Sequence, residues 1–280
     1  MTSLFKNRLF VAAALLSTFV GFDAKGDIFT SCGVDLGFAG RTKSWAVLTL
    51  GGSFIQNISS DSDYEGRSLV DGDVGSAGHG AKMKMGGGAM IHGNVYLRTD
   101  GLLTVNDGAS ISGAVIQDAG SDALLDQAVI DAQNASDYAN SLPATPGYPS
   151  TINTGSDMTL VLTGQCTVLR LTDFVLTGGT FTLVGTANQG IVINVSNNFS
   201  LKGGARVQLA GGLTPDSVLW NVTGPGNVAM SDQGSQLRGI LLATQRRMSM
   251  KNYSLLVGEA IVNSLLIGSH SQILTPGANP

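Results

Sequence analysis

Two stretches of the chain repeat themselves at a step of about 20 residues, and self-similarity on that scale constrains a fold more than any single motif. MKMGGGAMIHGNVYL, beginning at Met83, is followed by LTVNDGASISGAVIQ, beginning at Leu103, which sets Gly93 against Gly113 at a spacing of 20. Nearer the C-terminus VAMSDQGSQLRGILLA, from Val228, is followed by MSMKNYSLLVGEAIV, from Met248, with Gly239 and Gly258 in register to within one residue. LLIGSHSQIL, from Leu265, opens a third copy. Each unit reads as three short strands of alternating apolar residues, separated by turns built on Gly, Asn or Asp. One such coil cannot bury its own apolar side, but stacked coils merge their inward side chains into one core and pair their backbones in parallel ladders. In the unit from Val228, alternation turns Val228, Met230 and Leu237 inward and Ala229 outward, and Gly239 takes the corner. Glycine suits a corner that needs positive φ or close approach of the next coil, since a Cβ obstructs either.

Glycine makes up 38 of the 280 residues without a three-residue period, and there are only 7 prolines, which excludes collagen and Pro-rich disorder. An apolar content of 43% fills a sizeable core. One segment departs from the β pattern. From Ser121 to Leu142 there is no glycine or proline, and Leu125, Ala128, Val129, Ala132, Ala135, Ala139 and Leu142 recur at helical spacing. The spacing predicts an amphipathic helix over 121–142, N-capped by Ser121 and stopped by Pro143, with small alanines that let it lie close against a flat side. Beyond it, strands resume near Met158, and Gly190-Ile191-Val192-Ile193 is apolar on both alternations, as a strand buried on two sides beneath the helix would be. The expected fold class is mainly β: a discontinuous β-solenoid (β-helix) of roughly 20-residue rungs with one long α-helix packed alongside.

Lys6 and Arg8 precede an apolar run from Leu9 to Phe22, and Ala24-Lys25-Gly26 has the small-x-small form of a cleavage site. Residues 1–26 therefore read as a signal peptide and 27–280 as a single β-solenoid domain, secreted or held at a bacterial cell surface. No second apolar run is long enough to span a membrane, so no span is expected after cleavage. Cys32 and Cys166 are the two cysteines; an oxidising compartment permits a bond between them, but spacing alone does not say whether they meet. The formal charge is −4 with scattered basic residues, apart from Arg246-Arg247, so no stripe tracks a phosphate backbone and nucleic acid is not an expected partner.

The order of elements resembles the ice-binding-like β-solenoid family, most specifically in SVLWNVTGPGNVAMSDQGSQLRGILLATQRRMSMKNYSLLVGEAIV, where a VLWNV strand precedes glycine-marked rungs ending in GILLA and GEAIV. The glycine-containing first half, including YEGRSLVDGDVG from Tyr64, is also similar to bacterial choice-of-anchor A surface proteins of adhesin type. The first resemblance implies a roughly triangular, discontinuous solenoid with a helix alongside, and ice as a ligand. The second implies a non-catalytic adhesive module. An ice-active face is flat and lined by small residues; the middle residues of successive first strands here are Ala229, Ser249 and Leu266, with Arg246, Arg247 and Lys251 in neighbouring connections. Thr172, Thr177, Thr180 and Thr182 fall on expected strands, as β preference alone explains.

β-helix enzymes that cleave polysaccharides need clustered carboxylates. No acidic ladder recurs at 20 residues: Asp107 has Gln127 in its register and Glu259 has Asn279. Asp61, Asp63, Glu65 and Gly66 open like a calcium loop, but the twelfth position is Gly72, not the bidentate Glu such a loop requires. His79, His92 and His270 stand at no metal-ligand spacing, Gly86-Gly87-Gly88 lacks the ending of a phosphate loop, and no nucleophile elbow occurs. Trp220, within an apolar strand, reads as core; Trp45 can serve as a sugar platform or as core. The expectation is therefore no catalytic, metal or cofactor site. The leading reading is an adhesion or matrix-binding module for extracellular polysaccharide or a surface protein, with ice binding as the alternative and polysaccharide cleavage a weaker third.

Overall fold

The computed structural model describes residues 28–39, 45–55, 67–232 and 234–276; the expected signal peptide and the acid-rich residues 59–65 lie outside them. Successive short strands turn at glycine-rich corners and pair in parallel with the coil above and below, so the chain forms three sides. The narrow side uses three-residue strands with one outward residue each: Ile152–Thr154, Phe174–Leu176, Phe199–Leu201 and Val228–Met230, continued by residues 248–250 and 265–267. The broad side has two outward columns and stacks nine strands, from Met158–Val161 through Thr180–Val184, Arg206–Ala210, residues 236–238 and 255–257, Gln272–Leu274, Leu69–Asp71 and Met90–His92 to Ser110–Ile111. The third, covered side runs from Cys166–Leu171 through Gly190–Val195 and Val218–Val222 up to Val115–Ile116.

Stacking does not follow the sequence. The last strand, Gln272–Leu274, pairs with the early strand Leu69–Asp71, and Trp45–Ile55 is inserted between Leu255–Ile267 and Asp73–Ser76. The step between partners is also uneven. Met90 pairs with Ser110 and Val228 with Met248, 20 apart, but Met248 pairs with Leu265, 17 on, and Phe199 with Val228, 29 on. The expected 20-residue rung thus holds through the first self-similar stretch and from Val228 to Met248, but it shortens to 17 from Met248 to Leu265 and fails in the coils between, whose corners carry insertions such as residues 211–217. A mainly β chain of parallel coils with one long helix fits a β-solenoid.

Helix α1 (Ile28–Cys32) is short; helix α2 (Ala119–Ser141) returns the chain from one end of the stack to the other. Its 23 residues span about 35 Å, close to the ~38 Å of eight inter-strand steps. It begins two residues earlier than the sequence suggests because Asp118, not Ser121, is the N-cap. The Asp118 carboxylate accepts from the Ser121 amide, and the Ser121 hydroxyl accepts from the Asp118 amide while donating to the Leu97 carbonyl. Pro143 ends the helix with Leu142 as C-cap, and Arg170 donates to the last carbonyls, of Asn140 and Leu142, where a cation also suits the helix dipole.

Two cores result. The first fills the coils with Phe174, Phe181, Phe199, Trp220, Ile191, Ile193, Met230 and Leu237. The second lies between the covered side and α2, where Leu125, Ala128, Ala132, Ala135 and Ala139 meet Val192, Leu219, Leu242 and Ile261. The Gly190–Val195 strand is accordingly buried on both alternations. Within the second core, Ser136 and Asn221 exchange hydrogen bonds, Asn221 also donates to Asn194, and Asn194 to the Ala139 carbonyl. Cys32 and Cys166 form a disulfide, with Cα atoms 5.0 Å apart, that ties α1 to the covered side. No helix among the described residues is long and apolar enough to cross a membrane.

Candidate ligand-binding face

With the covered side beneath α2, two sides face outward, and their outward side chains differ in kind. Past Thr180 and Thr182 in its first coils, the broad side presents Arg206, Gln208, Gln236, Arg238, Leu255 and Gln272, long chains of unequal reach. On the narrow side the register sets Asn153, Val175, Ser200, Ala229, Ser249 and Leu266 in one column. Each of the first four strands keeps register with the next without a bulge, and the flanking residues Phe174, Leu176, Phe199, Leu201, Val228, Met230, Met248 and Met250 are all buried. Inward packing on either side of each outward residue holds the column flat, with a repeat of about 4.8 Å. Small side chains here lose little rotamer freedom when the face is covered.

The rims are fixed by hydrogen bonds. Asp173 accepts from the Asn197 and Asn198 side-chain amides and from the Asn198 backbone, so its charge is tied along one edge. Thr177, Lys202 and Lys251 are exposed on the other edge, and Arg247 beside Asp173's edge. Arg246 is not on this surface. It is 1% exposed, its guanidinium donating to the carbonyls of Gly224, Asn197 and Thr223, and burial lowers its pKa. Of the long cations that the sequence sets beside Ala229 and Ser249, one is a buried clasp.

The remaining sequence candidates are dispersed. Thr172 and Thr177 flank the Phe174–Leu176 strand, whereas Thr180 and Thr182 stand on the broad side, so the threonines form no single array. Trp45 and Trp220 are both core. His79 lies 3.3 Å from Asp100 and contacts Arg98, which bonds Asp126 at 2.7 Å; His92 is 3.8 Å from Asp71; His270 stacks on Tyr253. Among the described residues no three His, Cys, Asp or Glu side chains gather as metal ligands. Gly87 and Gly88 sit at a corner with positive φ, as expected. Sequence reading gave Glu259 no structural role, yet it stands in an otherwise apolar column with Ile240. Burial pushes its carboxyl up to about 8, the Asp216 charge adding to the effect, and its Oε2 accepts no hydrogen bond. That column position is visible only once the register is known.

Solved structures with the same fold include the ice-binding protein of the Antarctic ascomycete Antarctomyces psychrotrophicus. It has a TM-score of 0.57 and 18% identity, over 88% of this chain and 99% of that one. A glycosylated ice-binding protein from Arctic yeast matches with a TM-score of 0.56 and 16% identity, covering 93% of this chain and 98% of that one. A domain of a Shewanella frigidimarina ice-binding protein gives 0.54 and 14%, covering 87% and 98%. At these identities the likeness is one of fold, and it is not restricted to bacteria. No curated protein matches by sequence. The model of the ice-binding-like adhesive domain family matches residues 37–273, most of the sequence, and the chain belongs to that family.

Proposed function

We propose that this chain is an exported, non-catalytic module that binds ice through its narrow side. The observation that carries the reading is the column Val175, Ser200, Ala229 and Ser249, level, rigid and made of small side chains on one of the two uncovered sides. A crystalline solid presents a fixed lattice of oxygens, and a protein that adsorbs to it needs a surface as flat and as preorganised as its target. The fold relatives named above are ice-binding proteins, which supports this ligand over others. Export is supported by the N-terminal leader pattern and by the Cys32–Cys166 disulfide, a bond that persists in oxidising compartments.

The test is direct. Purified chain is expected to inhibit ice recrystallisation and shape ice crystals, and Ala229→Tyr with Ser249→Tyr, which raises two bulky rings from the column, is expected to abolish both while leaving the melting midpoint near that of the wild type. A folded wild-type chain with no effect on ice at high concentration would overturn the reading. The exposed Lys202, Arg247 and Lys251 along the rims favour a second reading, adhesion to an anionic extracellular polymer, with the same face acting as the contact. Such binding would weaken with salt, whereas adsorption through small neutral side chains would not.

A further inference from the structure

Between the narrow and broad sides every coil turns a corner, and the register fixes which residues stack there. The position just before the small inward residue is glycine in four coils: Gly204, Gly234, Gly88 and Gly108, with φ of 74, 81, 75 and 74°. In the three coils between Gly234 and Gly88 the same position holds Tyr253, His270 and Arg67. Tyr253 and His270 keep the left-handed backbone, with φ of 64 and 60°, and Asn252 precedes them at 55°. A corner that glycine occupies without strain thus carries a tyrosine, for which this conformation is a genuine outlier. Strain of this kind persists where the side chain does something that glycine cannot.

The Tyr253 ring lies flat on the His270 imidazole, centroids 4.2 Å apart and planes within 17°, yet Tyr253 remains 52% exposed. On its other flank is the Gly234 corner, where an added Cβ would meet nothing within 4 Å. One ring face is therefore backed by His270, while about half of the residue stays open to solvent. Both neighbours are exposed: Asn252, whose carbonyl accepts from the Gly234 amide, and Lys251, whose side chain lies beside Gly268 in the coil of His270.

We propose that this corner is a glycan-binding platform, the free face of Tyr253 taking the C–H face of an equatorially substituted, β-linked hexopyranose. The negative face of an aromatic ring attracts the polarised C–H bonds that such a sugar presents together on one side, and both apolar surfaces leave water. Prior stacking on His270 holds the ring in place, so little rotamer freedom is lost on binding. Lys251 and Asn252 supply hydrogen-bond donors for the ring hydroxyls.

The site is separate from the column of the narrow side, and its test is separate too. Saturation-transfer NMR and titration calorimetry on the full chain, with cellohexaose and chitohexaose as probes, are expected to detect binding of at least one. Tyr253→Phe should hold Kd within about twofold, and Tyr253→Ala should weaken it about tenfold. Tyr253→Gly is the decisive variant: it should abolish binding while melting no lower than wild type, because it restores the residue that the corner prefers, and it should leave ice recrystallisation inhibition unchanged. Absence of transfer to either oligosaccharide, unchanged binding by Tyr253→Gly, or a lowered melting midpoint of that variant would overturn the proposal.

Discussion

Gly239 and Gly258 pair across adjacent coils with φ of 126 and 144°, a region of backbone space open to little but glycine. A Cβ at Gly239 would stand 2.8 Å from both the Val218 carbonyl oxygen and Trp220 Nε1, neither of which can yield without moving the core. Gly239→Val is therefore expected to lower stability by about 1–3 kcal/mol, read from the denaturant midpoint at unchanged slope. This corner was legible in the sequence because the repeat itself sets the two glycines in register. Glu259 was not, since nothing in a list of residues says that an acid next to the inward Ala260 stands in the column of Ile240 on the covered side. Its raised pKa means that the folded state holds a proton which the unfolded chain has released. That contribution is complete below the ordinary value of 4.5 and is lost as pH rises through about 8. Melting of the wild type should accordingly fall between about pH 5 and about pH 9, and Glu259→Gln should flatten the profile and be the more stable of the two at the alkaline end. A profile of equal slope in the variant would place the titration elsewhere.

At the scale of elements, the apolar stripe of α2 was readable from spacing, and its start was misplaced because capping depends on which side chain reaches which amide. Asp118 and Ser121 are both acceptable caps in sequence, and only the Leu97 carbonyl, supplied by a distant strand, draws Ser121 into the third helical position. What fixes α2 against the covered side was equally invisible. Asn194 and Asn221 read as ordinary strand residues, yet they are buried and bonded to Ser136 and Ala139 of the helix. Alanines alone would let the helix slide along a smooth surface; the amide ladder sets one register. Asn221→Ala removes that lock and leaves the Ser136 carbonyl and hydroxyl and the Asn194 side chain without their partner. A loss of about 1–3 kcal/mol follows, measurable by chemical denaturation. A surface substitution on the opposite face of α2, such as Asn134→Ala, should change stability by no more than about 0.5 kcal/mol.

For the whole molecule, repeats announced a solenoid but not its order, because parallel stacking pairs coils by shape and register and carries no memory of which was made first. The return path of α2 lets the chain start a second set of coils at the far end and climb until Gln272–Leu274 meets Leu69–Asp71. The two ends that result are unlike. At the lower end Tyr148, from the Pro-rich connection, packs against the core and donates to the Val161 carbonyl, closing the first coil. At the upper end nothing in the described chain covers the last coil. Val105 and Val115 occupy the inward positions of Met85 and Val95 one coil below, yet they are 42% and 47% exposed, while those partners are buried. The same residue type in the same register therefore carries a very different share of the stability. Val95→Lys places an unpaired charge between two coils and should cost about 4 kcal/mol or more, enough to unfold much of the population. Val115→Lys puts its ammonium in water at the open end and should stay within about 1 kcal/mol of wild type, since the lysine stem still covers the coil below. Similar losses in both variants, measured by thermal melting, would mean that the upper coil is covered in solution and that the solenoid does not end at residues 102–116.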